Sequence, residues 1–184
     1  FGNWIDSPET SSKIVDDTIK SITLKDVNAK VVSSIDDLSM LDDSFNTIRN
    51  DAGVLGAYNQ ATKQIYIIAD QHSSDAEVRT TLLHELVGHH GMLSVFNDGK
   101  LDDILSRLVK DSPLLDDLSK AIANLRGQDI SDTKVRYETN QEAMAELSAA
   151  VLSGEFEWLN DKYSIYGFNQ DDGSLTSLSN QVKA

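Results

Sequence analysis

Residues 81–91 read TLLHELVGHHG and contain three of the four histidines in this 184-residue chain. All four histidines lie between His72 and His90, an uneven distribution for so rare a residue. On a regular α-helix each residue advances about 100°, so His84 and His89 would lie about 140° apart. Two imidazoles placed in that way could not share one small ion.

One extra residue in the helical turn would bring the two histidines together. In a single-turn π-bulge the fifth residue takes the angular place of the fourth, and such bulges are frequent at functional sites. Gly88 lies inside this turn, where the absence of a β-carbon makes the distortion easier. We therefore predict that HELVGH (84–89) forms a locally widened helix with both histidines on one side.

This spacing predicts a metal site with a general base beside it. The motif H-E-x-x-H places two zinc-binding histidines on one helical face, with the glutamate as the general base of a metalloprotease. In a widened turn His84 and His89 would be the ligands, and Glu85 would stand beside the ion. The metal would acidify a bound water, and Glu85 would pass its proton to the leaving amine. The alternative is an amphipathic helix whose histidines face solvent.

A third ligand is needed, since a catalytic zinc usually has three protein ligands and one open position. The chain has no cysteine, which leaves histidine, aspartate or glutamate. In YETNQEAMAELSAAV (137–151), Glu142 and Glu146 are four residues apart and share a helical face. We predict Glu142 as the third ligand, and Glu146 as a group that accepts a hydrogen bond from a ligating histidine. His90, Asp161 and Glu146 are the alternative ligands.

A hydrogen-bond donor near the developing oxyanion would stabilise the transition state further. The sequence offers several candidate donors and does not choose between them. They are His90, Arg136 and Tyr137, with Tyr163 or Tyr166 from the C-terminal part.

The remaining patterns predict an α+β fold, with strands first and helices after. The run NAKVVSSI predicts a strand over 29–35, and GVLGAYNQATKQIYIIAD predicts a hairpin of strands 54–58 and 64–69. The capping-box pattern SDAE at Ser74 begins a helix that we expect to continue to Phe96. Further helices are predicted over 8–22, 36–45, 100–110, 114–125 and 139–152. We expect residues 1–27 to form a helical extension, 28–172 one domain and 173–184 a polar tail.

Composition and charge exclude several partners. The formal net charge of −14 would repel nucleic acids and anionic membranes. No apolar run is long enough for a transmembrane helix. The chain begins with Phe1, and we expect it to belong to a longer polypeptide. His72 precedes the capping box, and we predict for it a solvent-facing turn without a function.

The motif pair resembles that of known zinc peptidases. HELVGH is similar to the H-E-x-x-G-H motif of the dipeptidyl peptidase III type, and QEAMAE (141–146) is similar to that family's E-E-x-x-A-E motif. The resemblance implies that His84, His89 and Glu142 bind zinc and that Glu85 is the general base. The last glutamate of the second motif corresponds to Glu146, whereas Gln141 departs from the family pattern.

A resemblance over residues 30–155 is closer, to small zincin-like peptidase domains in polyvalent proteins of phages and other bacterial mobile elements. In those domains a strand pair of the type G-A-Y-x-x-x-T-x-x-I-Y precedes an H-E-x-x-G-H-x-G helix, as GAYNQATKQIYI precedes HELVGHHG here. The resemblance implies a zincin-like fold, in which a small mixed β-sheet packs on the active-site helix and a helical subdomain brings Glu142. The hairpin 54–69 is then the candidate edge that binds extended peptide by strand addition.

The same resemblance implies a function. It predicts a zinc metallopeptidase with one Zn²⁺ ion that hydrolyses a peptide or protein substrate. It also favours a bacterial or phage-delivered cytoplasmic protein over a secreted one. The alternative is a catalytically inactive zincin-like binding module within a larger mobile-element protein.

Overall fold

The computed structural model describes residues 8–21, 28–45, 53–96, 98–154 and 156–168. The predicted polar tail and parts of the predicted N-terminal extension lie outside these ranges. By its internal contacts the chain divides into two compact units, Phe1–Leu86 and Val87–Ala184, each of which is described by itself. The predicted α+β class is confirmed, with helices as the larger part.

The first unit is built on a three-stranded sheet of β1 (Asn28–Val32), β2 (Gly56–Asn59) and β3 (Gln64–Ile68). The strand order is β1-β3-β2, with β1 parallel and β2 antiparallel to β3. The predicted hairpin is confirmed, and two backbone N–H groups of its turn donate to Asn59 Oδ1. The sheet is therefore small and mixed, as predicted, and β2 lies at one edge of it.

Helices cover the strands of this unit. α1 (Pro8–Ser21) contributes Ile14 and Val15 to a core that also contains Ile65 and Ile67 of β3. The predicted strand end at residue 35 was wrong. Ser34 caps α2 (Ile35–Leu41) by accepting a hydrogen bond from the Asp37 N–H, so Ile35 is already helical.

α3 (Asp75–Leu83) begins as the capping pattern predicts. Ser74 Oγ accepts from the Glu77 N–H, and the Glu77 carboxylate accepts from the N–H and hydroxyl of Ser73. The apolar stripe of α3 continues to Leu86 and is buried against the same core as β3. The sheet therefore fixes the helix from which the histidine motif continues.

The second unit is helical. It contains α4 (Met92–Val95), α5 (Asp98–Asp111), α6 (Pro113–Leu125), α7 (Thr133–Ser153) and α8 (Phe156–Tyr163). Its core is formed mainly by leucines of α6 and α7, together with Tyr163 and Phe168 after them. No helix in the described ranges has the length and apolar character that crossing a bilayer requires.

α7 begins six residues before the predicted start at Thr139. Asp132 caps it by accepting hydrogen bonds from the N–H groups of Lys134 and Val135. Thr139 and Asn140 are instead buried inside the helix, where both bond to Ser119 of α6. The pairing of α6 with α7 is thus fixed by a buried polar contact as well as by apolar side chains.

Candidate metal centre

The segment His84–Gly91 is a π-helix of eight residues, continuous with α3 before it and α4 after it. The predicted widening of the helix is confirmed, and it is longer than the single turn that we expected. In a π-helix the N–H of residue i+5 bonds to the carbonyl of residue i, so residues five apart come onto one side. His84 and His89 have this separation.

His84, His89 and Glu142 come together. Each offers one potential ligand atom, and these atoms all lie within 4.8 Å of one another. His89 Nε2 is 3.8 Å from Glu142 Oε2, and all three side chains are partly buried. Within the described ranges this is the one group of three or more His, Asp or Glu residues close enough to hold an ion.

The donor set and its spacing fit zinc. Two imidazoles and one glutamate are a ligand set of catalytic zinc sites. Two ligand atoms about 2.1 Å from a tetrahedral ion lie about 3.4 Å apart. The separation of 3.8 Å between His89 Nε2 and Glu142 Oε2 is within a few tenths of an ångström of that value. Small side-chain rotations would therefore complete the site.

Gly88 allows the close approach on which this site depends. A β-carbon on Gly88 would lie 2.2 Å from Ala145 Cβ and 2.5 Å from Ala145 Cα. Ala145 is three residues after Glu142, so the two lie on the same side of α7. Gly88 therefore does more than ease the π-turn, because any larger residue would push His89 away from Glu142.

Glu85 directly follows the first ligand, and only 6% of its surface is exposed. The first residue of β2 packs closely against this part of the chain. A β-carbon on Gly56 would lie 2.7 Å from Thr81 Cγ2 and 3.3 Å from Glu85 Cγ. The sheet edge thus restricts the side chain that we predict as the general base.

His72 is not in a solvent-facing turn, so that prediction was wrong. It is 2% exposed, with Nδ1 2.7 Å from the Ile68 carbonyl oxygen and Nε2 3.0 Å from Thr81 Oγ1. Because a carbonyl can only accept, Nδ1 donates, and the neutral ring accepts from the Thr81 hydroxyl at Nε2. Burial lowers the pKa of His72. The residue ties the end of β3 to α3, one turn before His84.

Glu146 is almost fully buried and bonds to α8. Its Oε1 accepts hydrogen bonds from Tyr163 Oη and Lys162 Nζ, both at 2.7 Å. Burial, and after it the charge of Glu146, raises the pKa of Tyr163 far above its ordinary value. Sequence reasoning missed both partners, because nothing in the pattern pairs α8 with this carboxylate. The hydrogen bond predicted from a ligating histidine to Glu146 stays a prediction.

Arg126 was also missed. Its Nη2 lies 3.2 Å from Glu142 Oε2, the same oxygen that faces His89. No spacing rule connects the end of α6 with the middle of α7, so only the folded structure reveals this pair.

The other candidate residues lie around this centre without joining it. His90 follows His89 and is not part of the three-residue cluster. Tyr137 is on α7, partly buried and five residues before Glu142, and Asp161 is exposed on α8. The proposed donor roles of His90 and Tyr137 stay predictions.

No protein family model, curated protein or solved structure matches the chain. The class of protein is therefore argued from the residues and their geometry.

Proposed function

We propose that this chain is a zinc-dependent peptidase of the zincin type, with His84, His89 and Glu142 as zinc ligands and Glu85 as general base. The observation that carries the proposal is the convergence of the three ligand atoms, two from one π-helical segment and one from α7. Two distant parts of the sequence, chosen before the fold was known, come together there.

The residues around the ion have distinct roles in this proposal. A bound zinc would supply Lewis acidity, which polarises a carbonyl group and lowers the pKa of water to about 7. Glu85 takes a proton from the attacking water and delivers it to the leaving amine. Burial keeps its side chain in place beside the ligand His84. β2 is an edge strand, so its free side can bind an extended peptide through main-chain hydrogen bonds.

The proposal is tested by zinc content and hydrolysis measured on the same protein samples. Zinc is measured by mass spectrometry after dialysis, and hydrolysis with a fluorogenic peptide library with and without a chelator. We expect about one zinc per chain, in line with a single three-ligand catalytic site. His89→Ala and Glu142→Ala should lose the zinc. Glu85→Gln should keep it and lose roughly 10²–10⁴-fold in hydrolysis rate.

Glu157→Gln is the matched control, because Glu157 is an exposed glutamate of α8. It should keep both zinc and activity. Folded native protein that takes up no zinc would end the proposal, and so would a Glu85→Gln variant as active as the native protein. Native protein that binds zinc but shows no chelator-sensitive hydrolysis would indicate the binding module instead.

A further inference from the structure

Arg126 is placed beside the ligand Glu142 by the end of α6. Its backbone N–H donates to the Ile122 carbonyl at 3.1 Å, and Gly127 follows in a left-handed turn with φ of +62°. The base of the side chain is therefore fixed. Within the described part of the chain, Glu142 is the one ion-pair partner found for Arg126.

The guanidinium group has capacity for a second partner. It carries five N–H donors in a planar fork, and a contact with one carboxylate oxygen occupies one of them. The Arg126 side chain is 40% exposed, so another molecule can reach it. A guanidinium binds a carboxylate most strongly through two parallel hydrogen bonds.

The local charges favour an anion once an ion is bound. Glu142 and Glu146 carry two negative charges, and Arg126 and Lys162 carry two positive charges, so these four side chains sum to zero. Lys162 is already engaged by Glu146 at 2.7 Å. A divalent ion would change the sum to +2, or to +1 with Glu85 counted. The site would then be locally positive although the whole chain carries −14.

The reach of Arg126 matches one residue of peptide. Nη2 is 3.2 Å from an oxygen that would bind the ion. Consecutive Cα atoms are about 3.8 Å apart across a trans peptide bond. If the carbonyl of the bond to be cut lies at the ion, the next residue of the substrate comes within reach of the guanidinium.

We propose that Arg126 is a specificity-determining residue that binds a substrate carboxylate located one residue after the bond that is cut. The inference rests on the proposed function, because it requires a peptide held at the zinc site. The carboxylate is either the free C-terminus of the peptide or the side chain of an aspartate.

The test measures peptide binding to zinc-loaded protein in the Glu85→Gln background, where turnover is suppressed. Isothermal titration calorimetry compares acetyl-Ala-Ala as free acid and as amide, and acetyl-Ala-Asp-amide with acetyl-Ala-Asn-amide. Arg126→Gln, Arg126→Lys and the matched control Arg107→Gln are added to that background. Arg107 is an exposed arginine of α5. Zinc content and melting temperature are measured before peptide is added.

We expect the carboxylate member of one probe pair to bind roughly tenfold or more tightly than its neutral partner, as a charge-assisted hydrogen bond implies. The pair that shows the preference identifies the source of the carboxylate. Arg126→Gln should abolish the preference while zinc content and melting temperature are kept. Arg126→Lys should keep part of it, and Arg107→Gln should keep all of it.

Three results would overturn the inference. Neither probe pair shows a preference, or the preference survives in Arg126→Gln, or Arg126→Gln loses its zinc. The last result would mean that Arg126 only holds Glu142 in position. Failure of the metal site itself is recognised separately, since the protein with native Arg126 would then contain no zinc.

Discussion

Replacing Gly88 with alanine should disrupt both the packing of α7 and the metal centre. The added methyl would lie 2.2 Å from Ala145 Cβ. Carbon atoms in contact are about 3.5–4.0 Å apart, so the π segment and α7 would have to separate by about 1.3–1.8 Å. His89 Nε2 and Glu142 Oε2, now 3.8 Å apart, would then lie about 5 Å or more from each other, too far to share a tetrahedral zinc.

The expected magnitudes follow from this overlap. Overpacking costs about 1–3 kcal/mol, and the upper end applies because Ala145 Cα is also only 2.5 Å away. The higher helix propensity of alanine offsets about 1 kcal/mol. The net loss of about 2 kcal/mol corresponds to a melting temperature lower by about 4–8 °C. Zinc affinity, measured by competition with a chromogenic chelator, should fall roughly 10–100-fold.

Two further variants make this prediction specific. Gly99→Ala is the matched control, because a β-carbon there would meet nothing within 4 Å, and it should not lower the melting temperature. Ala145→Gly in the Gly88→Ala background removes the 2.2 Å contact and leaves the one to Cα, so it should restore zinc affinity only in part. A Gly88→Ala protein that melts and binds zinc like the native one would refute the reasoning.

Three other substitutions have defined outcomes. Because burial lowers the pKa of His72 below the model value of 6.5, the unfolded chain takes up a proton there first. Native stability should therefore fall as pH drops below about 6.5. Melting curves of His72→Asn between pH 7.5 and 5 should show a smaller decrease, and parallel profiles would contradict this. Gly56→Ala brings a methyl to 3.3 Å from Glu85 Cγ and should lower kcat roughly 10–100-fold with zinc retained, whereas an unchanged kcat would refute the contact's importance. Ser119→Ala removes a buried donor to Asn140 and should cost about 1–3 kcal/mol in thermal unfolding, while the exposed Ser106→Ala should cost less than half of that.

The parts of the site that follow local rules could be predicted from the sequence. The conflict between the five-residue spacing of His84 and His89 and the period of an α-helix is visible in the sequence alone, and it indicates a π-turn. The hairpin and the cap at Ser74 depend on neighbouring residues in the same way. Glu142 could be chosen because the chain offers few carboxylates on a helix with small neighbours.

The parts that were missed depend on packing between distant segments. His72 is buried because the end of β3 and α3 enclose it, and its polar surroundings in sequence suggest the opposite. Asp132 and Thr139 are both acceptable caps, and the hydroxyl of Thr139 bonds to carbonyls inside α7 instead. The pairing of Arg126 with Glu142 likewise follows from the crossing of α6 and α7, which no spacing in the sequence encodes.

α7 is buried around most of its circumference between Thr139 and Val151, and alanines occupy many of those positions. Few of its positions can therefore drift during evolution without displacing a neighbouring helix. α5, by contrast, faces solvent on one side and can accept change at every third or fourth residue. New substrate preferences would then arise more readily at the periphery of this unit than along the helix that carries Glu142.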